Sequence, residues 1–247
     1  MFLSDYFYLY LAYGVAIGSW YTYTRQTENK SEYPSPSLKR PGLEFAFGLI
    51  AACLTIGIGQ LYLKGLLLPN FAQIGFLTEA INQLLIFSPF GLLLIFRGQS
   101  LETAWYPKEG KGRSIGVGLL IALLTLCIFL VTKGRTATFF KDLCFIYSYQ
   151  NLPELVQVFA EDFAISLLLY RLMAWIGPKR AIVGIAVLFA AAHIPAMLSK
   201  GVGVENFTGL LFDATLGFLV LHFVAKSRNF LWFWMIHFAM DMTQFLH

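Results

Sequence analysis

Ile115–Thr132 reads IGVGLLIALLTLCIFLVT, an eighteen-residue run with no charged side chain. A helix crosses the hydrocarbon core of a bilayer with about 20 mostly apolar residues. The run is continuous rather than alternating, so it reads as a helix and not as a barrel strand. Outward from it, similar runs lie at roughly 3–23, 43–63, 75–96, 153–173, 181–198, 206–225 and 229–246. The expected fold is therefore all-α, a polytopic membrane bundle of about eight helices. At about 20 residues each, eight spans take up about 160 positions, and a chain of 247 then has no room for a soluble domain.

Composition agrees. Hydrophobic residues make up 57% of the chain and charged residues only 13%, against about 25% charged in an ordinary soluble domain. That excludes a soluble enzyme, a disordered linker and a nucleic-acid binder. Three cysteines, Cys53, Cys127 and Cys144, are an odd number and imply no disulfide framework. The first run lacks a basic leader and a small-residue cleavage site, so a retained helix is expected.

The connections are short. Ser31–Gly42 is turn-rich, with three prolines. Gly98–Ser114 is the most polar stretch, and a surface position is expected for it, with Trp105 and Tyr106 at headgroup level. Asn151-Leu152-Pro153 predicts a helix start. Of the 18 Lys and Arg, 13 fall in the loops after spans one, three, five and seven, and 5 in the others. Basic loops stay inside, so both termini are expected on the non-cytoplasmic side.

An ionisable side chain at the centre of a span costs about 2.5–3.5 kcal/mol on insertion scales, so it usually faces a cavity or a partner. Such residues gather in the last four spans: Glu161, Asp162, His193, Asp213, His222, His237 and Asp241. At 1.5 Å per residue, Glu161 lies roughly 12 Å, His193 about 8 Å, His237 roughly 14 Å and Asp241 about 8 Å from one membrane face. That face is the one poor in Lys and Arg. His237 and Asp241 are four apart and share a helix face, as do Phe189 and His193. Asp162 points about 100° from Glu161, so one of the two is expected to face the site squarely. Asp213, roughly 12 Å from the same face, reads as a supporting residue. His222 and His247 read as structural and as terminal. Alone, either of the two deep histidines is more often an interhelical hydrogen-bond donor. A carboxylate opposite two imidazoles suits water activation, and the same set could hold zinc; spacing leaves both open.

Glu161-Asp162, Phe189-Ala-Ala-Ala-His193 and His237-Phe-Ala-Met-Asp241, in this order, resemble the three motifs of the CPBP family of CAAX prenyl endopeptidases and bacteriocin-processing enzymes. The stretch Gly217-Phe-Leu-Val-Leu, the break at Lys226-Ser-Arg228 and Asn229-Phe-Leu-Trp232 fit as well. The resemblance covers roughly 155–245. It implies an eight-helix membrane fold whose catalytic half is 153–246 within one integral membrane domain over 1–247. It also implies metal-free, cofactor-free proteolysis with Glu161 as general base, His193 positioning water and His237 with Asp241 stabilising the oxyanion. Asp162 and Phe189 would support them. The family pattern has a second glutamate at 162, arginine at 166 and commonly asparagine at 241; this chain has Asp162, Ser166 and Asp241. For Asp241, orienting His237 is the simpler role, since an ionised carboxylate only accepts hydrogen bonds. Arg171 reads as a helix-end residue snorkelling to the interface.

The implied partners are the lipid bilayer and a membrane-anchored protein or peptide, with no nucleic acid. The four main residues lie near the Lys/Arg-poor face, so the site is expected to open to the non-cytoplasmic side. That favours a peptide precursor or a C-terminal sorting signal over a prenylated cytosolic protein. Two other classes stay open: a proton-coupled transporter using the acids and histidines as a relay, and a non-catalytic partner or immunity protein on the same scaffold.

Overall fold

A computed structural model describes residues 3–27, 33, 36–66, 75–199, 201 and 208–246. Lys30, Ser35, Lys200, His247 and the start of the expected span at 206 lie outside the described residues. The described chain is helical throughout, without strands. The helices are α1 (Leu3–Thr27), α2 (Pro41–Leu63), α3 (Phe76–Ile86), α4 (Ser88–Arg97), α5 (Lys111–Thr132), α6 (Phe139–Ile146), α7 (Leu152–Ile176), α8 (Pro178–Ala192), α9 (Ile194–Ser199), α10 (Thr208–Ser227) and α11 (Leu231–Asp241).

Proline sets several of the starts. It stands in the first turn of α2, α4, α7 and α8, where its missing N–H costs nothing. The helix expected after Asn151 begins there, as α7. Each expected span coincides with helix, but three are interrupted. The run at 75–96 is two helices, α3 and α4, bent by 49°. Pro89 opens α4; it donates no backbone hydrogen bond and crowds the preceding turn. The run at 181–198 breaks at His193 into α8 and α9. The run at 229–246 tightens into a 3-10 turn, Met242–Phe245. Among the described residues Pro41–Leu63, Lys111–Thr132 and Gly209–Ser227 are long and apolar enough to cross a bilayer alone, and the bent pair makes up to four.

The C-terminal helices are held by the N-terminal ones. α11 packs along α5, and α7 packs against α2, α3 and α8. The α5–α11 approach depends on Gly118, where an added Cβ would lie 2.8 Å from Trp232 Cα. On its other side Trp232 stacks on Trp20 of α1, centroids 4.3 Å apart and planes within 6°. Tyr10 donates to the carbonyl of Phe212 at 2.7 Å and so ties α1 to α10.

Two interfacial expectations are corrected. Trp105 is 4% exposed and packs edge-on to Tyr170 at 6.2 Å. The turn Leu101–Ala104 folds back onto α7, which carries the neighbouring indole into the core instead of to headgroup level. Arg171 does not snorkel; it is fully buried. It donates to Gln99 and to the carbonyl of Leu167 at 3.1 Å. Gln99 in turn donates to Glu44 at 3.0 Å, and Arg97 pairs with Glu44 at 2.6 Å. A buried cation needs such partners to offset its lost hydration, and this network supplies them from α2 and the end of α4.

Candidate active site

Glu161 and Asp162 stand in the first half of α7, about 15 Å along the helix from Arg171 by the helical rise. Both line one cavity of about 240 Å³ together with Phe189 and His193 of α8, Asp213 of α10, and His237 and Asp241 of α11. The structure thus brings together all seven residues that the sequence assigned to the site, catalytic and supporting. Apolar side chains, among them Leu9, Ile165, Val220 and Phe230, complete the wall.

The acid pair divides its work. Glu161 accepts from Gln157 Nε2 at 2.9 Å, one helical turn earlier. Asp162 turns toward α11, where its Oδ1 lies 2.9 Å from His237 Nδ1. The 100° step between neighbours separates the two carboxylates without removing either from the site, because α7 is flanked by α8 on one side and α11 on another. The expectation that only one of them faces the site is therefore corrected. The expectation that Asp241 orients His237 changes too: Asp241 Oδ2 is 3.7 Å from His237 Nε2, beyond hydrogen-bond reach. Its side chain is 45% exposed, against 5% for Asp162.

Packing fixes both imidazoles. His237 stacks on Phe233, one turn back, with centroids 5.2 Å apart and planes at 25°. His193 caps the C-terminus of α8, and its Nδ1 lies 2.9 Å from the carbonyl of Phe189. A carbonyl oxygen only accepts, so Nδ1 carries the proton and Nε2 offers a lone pair. The Phe189 ring meets that imidazole edge-on at 4.8 Å. Among the described residues no group of three or more His, Cys, Asp or Glu is disposed to hold a metal ion.

His222 stands apart from this site. It shares a hydrogen bond with the Tyr33 hydroxyl, a structural contact as expected. Four further lining residues carry polar side chains: Tyr13, Ser166, Thr243 and Gln244. Thr243 Oγ1 donates to the carbonyl of Met240 at 2.6 Å. Gln157 was legible in principle, because a residue four before Glu161 shares its helix face. Tyr13 had no such signal, since α1 is rich in tyrosine and aromatic residues are ordinary in membrane helices.

Residues 152–243 match the family model described as type II CAAX prenyl endopeptidase Rce1-like. No curated protein and no solved structure is significantly similar to the chain. The matched segment runs from the first residue of α7 to just past α11 and contains all seven residues. It leaves α1 to α6 outside. Over residues 152–243 the chain is similar to that family of CAAX prenyl endopeptidases, the same stretch that carries the three motifs.

Proposed function

We propose that this protein is a glutamate-dependent intramembrane endopeptidase that cuts a membrane-anchored protein or peptide near the membrane surface. The observation that carries the reading is the convergence of Glu161, His193 and His237, from three helices, on one cavity of about 240 Å³. The whole chain acts as one membrane domain, with 153–246 as its catalytic half. α1, α2, α3 and α5 serve as the frame packed against that half.

In this mechanism the Nε2 lone pair of His193 accepts a hydrogen bond from a water and orients it. Glu161 takes a proton from that water as its oxygen bonds to the scissile carbonyl carbon. The carbonyl π pair moves onto oxygen, and His237 donates from Nε2 to the resulting oxyanion. Asp162 holds Nδ1 of the same ring and supports positive charge on it. When the intermediate collapses, the C=O bond re-forms and the C–N bond breaks. The proton on Glu161 passes to the leaving amine. Asp241, beside Nε2 and partly open, lines the mouth of the cavity.

The cavity opens to the non-cytoplasmic side in this reading, because its residues lie toward the face whose loops hold 5 of the 18 basic residues. Exported peptide precursors and C-terminal sorting signals of surface proteins are the substrates that follow. The test is Glu161→Gln, which keeps size and removes the base. Reconstituted protein should cleave a lipid-anchored quenched peptide pool, and the variant should not. Equal cleavage by both would overturn the reading, and an unchanged cellular phenotype would favour a non-catalytic scaffold.

A further inference from the structure

Tyr13 belongs to α1, outside the segment that matches the protease family. It is nevertheless 4% exposed and lines the same cavity as Glu161, His237 and Asp241. A buried tyrosine hydroxyl normally finds a hydrogen-bond partner. This one has none among the described residues. Nor is it one of the sealed orphan atoms, which are Thr55 Oγ1, Asn82 Oδ1, Asp162 Oδ2 and Arg171 Nε. The hydroxyl therefore opens on the cavity and is uncommitted there.

Its position is not accidental. The Tyr10 bond to the Phe212 carbonyl fixes the rotation of α1 against α10 one turn before Tyr13. The Trp20–Trp232 stack fixes α1 against α11 two turns after it. Between these anchors Tyr13 packs on Phe233 at 6.3 Å, the ring that also stacks on His237. One aromatic plate thus registers the phenol against the imidazole.

Peptide hydrolysis asks for more than one donor at the position where negative charge develops. His237 has one nitrogen engaged by Asp162, which leaves a single N–H for that purpose. Asp241, as a carboxylate, only accepts. A phenol is a neutral donor across the physiological range, and it needs no proton exchange to serve.

Resting on the endopeptidase reading above, we infer that Tyr13 is a catalytic residue whose hydroxyl donates to the scissile carbonyl oxygen and completes, with His237, the oxyanion site. The first helix then contributes directly to the chemistry instead of only framing it.

Tyr13→Phe in reconstituted full-length protein removes the donor and keeps the ring. With a quenched peptide pool anchored by an N-terminal palmitoyl chain, kcat should fall ~10²-fold, the scale for one lost oxyanion donor. KM should stay within about twofold, because the interaction strengthens only in the transition state. Affinity for a phosphinate analogue of the cleaved peptide should fall by a similar factor, while affinity for the uncleaved peptide on a Glu161→Gln background holds. Tyr62→Phe, which removes a tyrosine hydroxyl bonded to Glu79 between α2 and α3, away from the cavity, should lower the melting temperature and leave that split absent. Wild-type kcat and phosphinate affinity in Tyr13→Phe would overturn the assignment. If wild type and Glu161→Gln turn over alike, the endopeptidase reading itself is at fault, and the Tyr13 role falls with it.

Discussion

Asp162 of α7 and His237 of α11 are 75 positions apart in sequence and meet at 2.9 Å, carboxylate oxygen against Nδ1, inside a cavity that both line. The contact fastens two helices and sets which edge of the imidazole faces the site. Asp162 Oδ2 has no partner and is sealed from solvent, so nearly all of that carboxylate's stabilisation comes from the one ring.

Asp162→Asn is expected to keep the fold and lose most activity. The amide can still meet Nδ1, but it carries no charge to support an imidazolium, so Nε2 becomes a weaker donor to the oxyanion. Weakening one oxyanion donor sets the scale, and a loss of about 10²–10³-fold in kcat is expected. Single-turnover kinetics beside a thermal melt would check it; a variant with wild-type kcat would show that the contact is only structural.

Glu161→Gln should lose about 10²–10⁴-fold in kcat, the span of general base catalysis, while still binding substrate. Gln157→Ala, which removes the donor 2.9 Å from Glu161, should have a smaller effect. The ratio of the two losses in one peptide assay measures how far that hydrogen bond merely positions the base. A Gln157→Ala loss as large as that of Glu161→Gln would contradict the ordering.

Outside the spans, Arg135 pairs with Asp142 in two bonds of 2.9 and 3.0 Å, and Thr138 adds a third. The Arg135 hydrogen bonds hold the Asp142 carboxyl below its ordinary value of 3.8. A depressed folded value means stability that is present above the unfolded value and lost as pH falls through the folded one. Melting temperature in detergent should therefore have an acid limb below about pH 4 that Asp142→Asn reduces. An identical limb in the variant would place the titration elsewhere.

Gly118→Ala should push α5 from α11, because the added methyl meets Trp232 backbone atoms, including Cα at 2.8 Å. Overpacking of this kind costs about 1–3 kcal/mol, visible as a lowered melting temperature. Gly116→Ala on the same helix, with nothing within 4 Å of the new carbon, is the control and should melt as wild type or slightly higher.

Sidedness is open to a labelling test. With Cys53, Cys127 and Cys144 replaced, Ser148→Cys should react with an impermeant thiol reagent in intact cells and Lys108→Cys should not. The reverse pattern would turn the cavity toward the cytoplasm and favour cytosolic CAAX-type substrates.

Membrane character, helical class and the identity of the acids and histidines were legible from the sequence, because each is a local property. Uninterrupted apolar length dictates a helix in lipid, and a charge at membrane depth is costly enough to stand out. Proline in a first turn marked the start of α7 for the same local reason. What tertiary structure alone decided is which groups face one another. Asp162 rather than Asp241 holds His237, since the choice depends on where α11 lies beside α7 and not on spacing within either helix. Arg171 and Trp105 are buried because Gln99 and the Leu101–Ala104 turn fold back onto α7, contacts made by segments some 70 residues away in the chain. Tyr13 reaches the cavity because α1 is pinned by Tyr10 and Trp20; in sequence it is one tyrosine among several. Helical periodicity fixes directions around one axis, and only the packing of several axes turns those directions into a site.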